Sequence, residues 1–185
     1  MFLRSNHGVL GANDNLSAVT AVLEIGKYLV NNLPEEVEIC LISFAGEEHM
    51  RGSKRFISCH KKELIERNSF LFNLECLSAE TFLLATGETM FLVKLSLPLI
   101  QIIEKAAKKL ELPVTKKPLS FAGSDAANFS RKGIHATTLF GLSTKGVPVD
   151  WHTLQDIPER LNGDSIARAA ELALQVTYDI DELAK

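Results

Sequence analysis

The chain has 185 residues, 46% hydrophobic and 23% charged, with a formal net charge of −3. This length suits a single domain over residues 1–185. The slightly acidic balance argues against a nucleic-acid partner, and no apolar run is long enough for a membrane span.

In chain order, residues 15–32 place Leu16, Val19, Val22, Leu23, Leu29 and Val30 on a helical stripe, stopped by Asn31, Asn32 and Pro34. Residues 39–44 are a continuous apolar run, expected as a strand buried on both faces. A short helix is expected from Ser53 to about Cys59. "SFLFNLECL" (69–77) and "TFLLAT" (81–86) read as further strands. Leu99, Ile102, Ile103, Ala106 and Leu110 mark a helix that Pro113 ends, and "HATTLFGL" (135–142) is a strand rich in β-branched residues. "NGDSIARAAELALQVTYDIDELA" closes the chain as a helix capped by Asp164 or Ser165. Strands alternate with helices, so the class is α/β, a mostly parallel mixed sheet between helical layers. Cys40, Cys59 and Cys76 are odd in number and lack Cys-x-x-Cys spacing. Cys40 and Cys76 fall in strand-like runs and read as small buried hydrophobes. The start, "MFLRSNHGVL", has an apolar stretch too short for a signal peptide, so a cytoplasmic location is expected.

Sites in α/β sheets form at the carboxyl ends of strands. "LGANDN" puts Asp14 just before the first long helix, "FAGEEHMRGS" puts Glu47 and Glu48 after the first strand, Glu75 lies toward the end of the second, and His152 follows "VPVD". Singly, each has a bland explanation: a helix cap, a solvated turn, a surface strand residue and a structural histidine. Together, carboxylates and an imidazole are a donor set that suits zinc. The adjacent pair also makes sense, because one glutamate can hold a cation while its neighbour takes a proton from water.

"GANDN", "FAGEEHMRGS", "NLEC", "GSDAANF" and "WHTLQD" resemble the zinc exopeptidases of the bacterial leucyl aminopeptidase type. Glutaminyl cyclases and glutamate carboxypeptidase share that phosphorylase/hydrolase-like fold. The resemblance implies that Asp14 bridges two zinc ions and that its bond to Asn15 is cis. It implies Glu47 as general base, Glu48 and His152 as ligands of one zinc, and Glu75 as a ligand at the second position, where the family usually has aspartate. Asp125 falls on a Ser-Asp motif and is expected to support the site rather than bind metal. Trp151, directly before His152, matches the Trp-His pair common in the cyclases.

The family also has a His-x-Asp strand upstream of the bridging aspartate. This chain starts at Met1, with His7 as its only upstream histidine, in the loop leading to "GANDN". An N-terminally truncated version of the fold is therefore expected, with one or two zinc ions and the second position short of ligands. An exposed sheet edge would favour a homo-oligomer. The leading reading is a zinc aminopeptidase acting on peptide or aminoacyl substrates. The alternatives are a single-zinc glutaminyl cyclase and a catalytically impaired relative or fragment used for binding.

Overall fold

The computed structural model describes residues 8–46 and 49–185. Residues 12–16 form one wide π-type turn that leads into α1 (Ser17–Leu29). The elements that follow are α2 (Arg51–Glu66), β1 (Phe70–Glu75), β2 (Thr81–Glu88), β3 (Val93–Lys94), α3 (Leu97–Lys109) and β4 (Val114–Leu119). After them come α4 (Asp125–Ser130), β5 (His135–Leu142), a 3-10 turn (Pro158–Arg160) and α5 (Gly163–Ala184). The sheet is mixed: β1 runs parallel to β5 and β4 parallel to β2, whereas β5 and β3 are antiparallel to β2.

The helices complete a three-layer α/β/α arrangement. One group is α1, α3 and α5; in the other, α2 packs on α4, which lies against β1 and β5. A single hydrophobic cluster runs through both interfaces, centred on Leu83, Leu84, Leu139, Leu99, Ile103 and Leu172. Small residues let α1 and α5 approach closely. The buried face of α1 is Ala18, Ala21, Ile25 and Leu29, while α5 turns inward Ala169, Ala170, Leu172 and Ala173. Leu16, Leu23 and Val30 of the expected stripe are exposed. Bulk apolar residues mislead here because alanine fills the tight seam. No helix among the described residues is long and apolar enough to cross a membrane.

The structure corrects several sequence expectations. Residues 39–44 belong to no strand, because among the described residues no strand pairs with them. Cys40 is exposed there, whereas Cys76 is fully buried. Phe44 still packs on Phe56 and Phe129, at ring-centroid distances of 5.7 and 6.0 Å. The helix expected over 53–59 continues to Glu66, and α5 is capped by Asn162, whose side chain accepts from the amides of Asp164 and Ser165. Strand β4 was not expected, since "VTKKPL" has the polar composition of an exposed edge.

Candidate metal centre

The centre is built on the 12–16 turn. Gly11 opens it at φ +68°, and a Cβ there would lie 2.7 Å from the Asp14 carbonyl oxygen, so only glycine fits. The Asp14–Asn15 peptide bond is cis, as the resemblance implied. The asparagines on either side of Asp14 point to different elements. Asn13 is buried; its Nδ2 donates to the carbonyls of Ser78 and Val149, each at 3.1 Å, and its Oδ1 accepts from Ser78 N at 2.9 Å. Asn15 Nδ2 donates to Glu75 Oε2 at 2.6 Å and to the Leu74 carbonyl at 3.2 Å, while its Oδ1 accepts from Cys76 N at 3.1 Å.

Glu75 ends β1 and is 4% exposed, which excludes the water-facing alternative. Its second oxygen accepts from Asn73 Nδ2 at 2.9 Å. His152 lies in the turn after β5 with φ +56°, and its Nε2 is 3.1 Å from Asp14 Oδ2. Trp151 packs against the imidazole with centroids 4.3 Å apart and planes tilted by 35°, and is itself met edge-on by Phe121 at 5.8 Å. The thiol of Cys76 is pushed well above its ordinary value, first by burial and then by the charges of Asp14, Glu75 and Asp156.

Glu47 and Glu48 lie outside the described residues, as does His7. The chain on either side of the pair is closely held. Arg51 N donates to Gly46 O at 3.0 Å, and a Cβ on Gly52 would sit 2.4 Å from the Ala45 carbonyl oxygen. Ser53 Oγ donates to Asp125 Oδ1 and accepts from Asn128 Nδ2 at 2.9 Å. This explains the Gly-Ser that follows the glutamates: one residue permits close backbone approach, the next ties α2 to α4. Asp125 is thus bonded to the start of α2, and burial pushes its carboxyl up against the opposing effect of the Ser53 bond.

Among the described residues, no group of three or more His, Cys, Asp or Glu side chains is arranged to hold a metal ion. Asp14 and His152 supply two donors and fit zinc. A tetrahedral ion with bonds of about 2.0–2.2 Å places two ligand atoms about 3.3–3.6 Å apart, a few tenths of an ångström more than their 3.1 Å separation. Sequence reasoning missed Asn13 and Asp156. Asp156, 2% exposed, accepts from Asn13 N at 2.5 Å and from Asp14 N at 3.1 Å. The only hint was an acidic residue one short turn after His152 in "WHTLQD".

The sequence model of peptidase family M28 matches residues 3–177. The chain belongs to peptidase family M28. Among solved structures, this M28 chain is similar to BSAP, a zinc aminopeptidase from Bacillus subtilis, at 25% identity and a TM-score of 0.78, covering 93% of this chain and 43% of that one. It is similar to the LapA aminopeptidase of Legionella pneumophila at 16% identity and a TM-score of 0.72, covering 92% and 47%. An Acidobacteriales bacterium glutaminyl cyclase matches at 17% identity and a TM-score of 0.71, covering 96% and 64%. The last two likenesses concern the fold. The chain therefore spans less than half the length of the two aminopeptidases. None of the curated proteins compared with it is significantly similar.

Proposed function

We propose that this chain is a zinc-dependent aminopeptidase acting on peptide or aminoacyl substrates. The observation that carries the proposal is the 3.1 Å approach of His152 Nε2 to Asp14 Oδ2 in a chain of peptidase family M28. Asp14, Glu48 and His152 hold one zinc ion in this reading, and Asp14 with Glu75 offers a second position with fewer ligands. Bound zinc supplies a Lewis acid that polarises the scissile carbonyl and lowers the pKa of water. Glu47 acts as general base, taking the proton of the attacking water and returning it to the departing amine. Asn15 orients Glu75 through its 2.6 Å bond. Trp151 packs beside the His152 ring and helps to orient it. Asp125 acts on the site only through Ser53 and the start of α2.

The Trp151–His152 ring contact favours, as a second reading, cyclisation of an amino-terminal glutamine. A single domain is supported by the one continuous core, and a cytoplasmic location by three cysteines without a disulfide. Self-association is supported by the edge strand β1, which carries no charge before Glu75.

The test equilibrates the chain with excess zinc, removes unbound metal, and measures zinc per chain alongside hydrolysis of aminoacyl anilides and cyclisation of a glutaminyl peptide. About one or two ions with anilide hydrolysis is the expected result. Glu47→Gln should lower hydrolysis by about 100-fold or more while the zinc content stays unchanged. A Glu47→Gln chain of full activity would remove Glu47 from the mechanism.

A further inference from the structure

We propose that Asp156 is a positioning residue, which fixes the Asp14 turn against the His152 turn and so sets the spacing of the two metal donors. The inference rests on the reading that Asp14 and His152 share a zinc ion. Three consecutive amides of the Asp14 turn converge on this one residue. Ala12 N donates to the Asp156 carbonyl at 3.4 Å, Asn13 N to Oδ1 at 2.5 Å, and Asp14 N to Oδ2 at 3.1 Å. A carboxylate is the side chain that suits this place. It offers two acceptor oxygens and no donor, whereas an amide of the same shape would turn an N–H group toward one of the two backbone N–H groups. Hydrogen bonds from neutral donors to a charged acceptor are also stronger than bonds between neutral groups. With both oxygens on backbone amides, Asp156 acts through Asp14 rather than as a ligand.

The other end of the clamp is equally fixed. Asp156 N donates to Thr153 O at 3.2 Å, and Thr153 returns to the Asp150 carbonyl through its N at 3.1 Å and its Oγ1 at 2.7 Å. Arg160 Nε closes the turn on the Asp150 carboxylate at 2.6 Å. His152 sits inside this turn at φ +56°, a left-handed conformation that costs a non-glycine residue and persists only where the surroundings over-determine it. Asn13 adds a second tie through its bond to Val149 O, just before the turn. The spacing of Asp14 and His152 therefore depends on contacts neither side chain makes itself, and Asp156 supplies most of them.

The test measures zinc affinity by competition with a chromophoric chelator in the full chain. It compares wild type, Asp156→Asn, Asp156→Glu and Thr137→Val. Thr137 Oγ1 donates to Ala85 O in the sheet, so its variant loses a buried bond away from the metal donors. Losing an outer partner of a metal ligand lowers affinity by about 10- to 100-fold, and that is the loss expected for Asp156→Asn. Asp156→Glu, which keeps two acceptors on a longer arm, should recover part of it. Thr137→Val should bind zinc as wild type does even if it melts earlier, which separates positioning from general stability. Wild-type affinity in Asp156→Asn overturns the inference while leaving the metal reading intact. Should Asp156→Asn fail to fold, Asp156→Glu decides: weakened zinc binding supports the inference and wild-type binding overturns it. A wild-type chain that holds no zinc overturns the metal reading and this inference together.

Discussion

Asp14 and its two asparagines show how a short polar run becomes a site. Asn13 turns inward and ties the turn to residues 78 and 149, while Asn15 reaches Glu75. Asp14 is left facing His152. Asp14, Glu75 and His152 were legible as candidates through a resemblance because their order survives, and for Asp14 and His152 the residue type as well. Asn13 and Asp156 were not, because their bonds join residues far apart in the chain and leave no local pattern. Glu88 is another buried carboxylate, 1% exposed, that accepts from Ser124 N at 3.1 Å and Ser124 Oγ at 2.6 Å. Burial pushes its carboxyl above the ordinary value, with the Ser124 bonds opposing. The folded chain thus holds that proton more tightly than the unfolded chain. This stabilising contribution is full below the ordinary carboxylate range and is lost as pH rises through the folded value. Glu88→Gln should remove it. In urea titrations from about pH 4 to about pH 7, the wild-type stability minus that of the variant should decline as pH rises. A difference that rises with pH would mean that Glu88 is held ionised.

At the scale of elements, α2 shows why the segment after the two glutamates has its sequence. Its first turn has no room for a side chain at Gly52, where a Cβ would lie 2.4 Å from a backbone oxygen that cannot move aside cheaply. Gly52→Ala should destabilise the chain by about 1–3 kcal/mol, read as a lower urea midpoint. It should also reduce hydrolysis more than Thr137→Val does, because the strain falls beside Glu47 and Glu48. Equal activity in the two variants would uncouple this turn from catalysis. The element misses share a cause. The expectation for 39–44 followed composition, yet a strand requires a hydrogen-bonded neighbour as well as apolar residues. Strand β4 has the opposite character, with exposed Lys116 and Lys117 on a backbone paired to β2 from Val114 to Lys117 and again, past an irregularity, at Leu119.

For the whole molecule, the two sides of the sheet differ in protection. Strand β4 carries Lys116, Lys117 and Pro118, residues that discourage edge-to-edge pairing, whereas β1 at its own edge reads "FLFNLE" and carries no charge before Glu75. The unpaired 39–44 run adds further apolar surface, with Leu41 43% exposed. Leu41→Lys should shift sedimentation toward the monomer, and a wild-type chain that sediments as a monomer at the same concentration would end the self-association proposal. By itself, the sequence determined the α/β class, most of the helices and strands, and the order of Asp14, Glu47, Glu48, Glu75 and His152 along the chain. These depend on periodicity and on residue type, which are local. Only the tertiary structure decided which faces are buried, which apolar run fails to become a strand, and that Asp156 holds the turn that presents Asp14 to His152. Those outcomes depend on which distant segments meet, and the energy of a buried hydrogen bond or a close-packed seam appears only once both partners are in place.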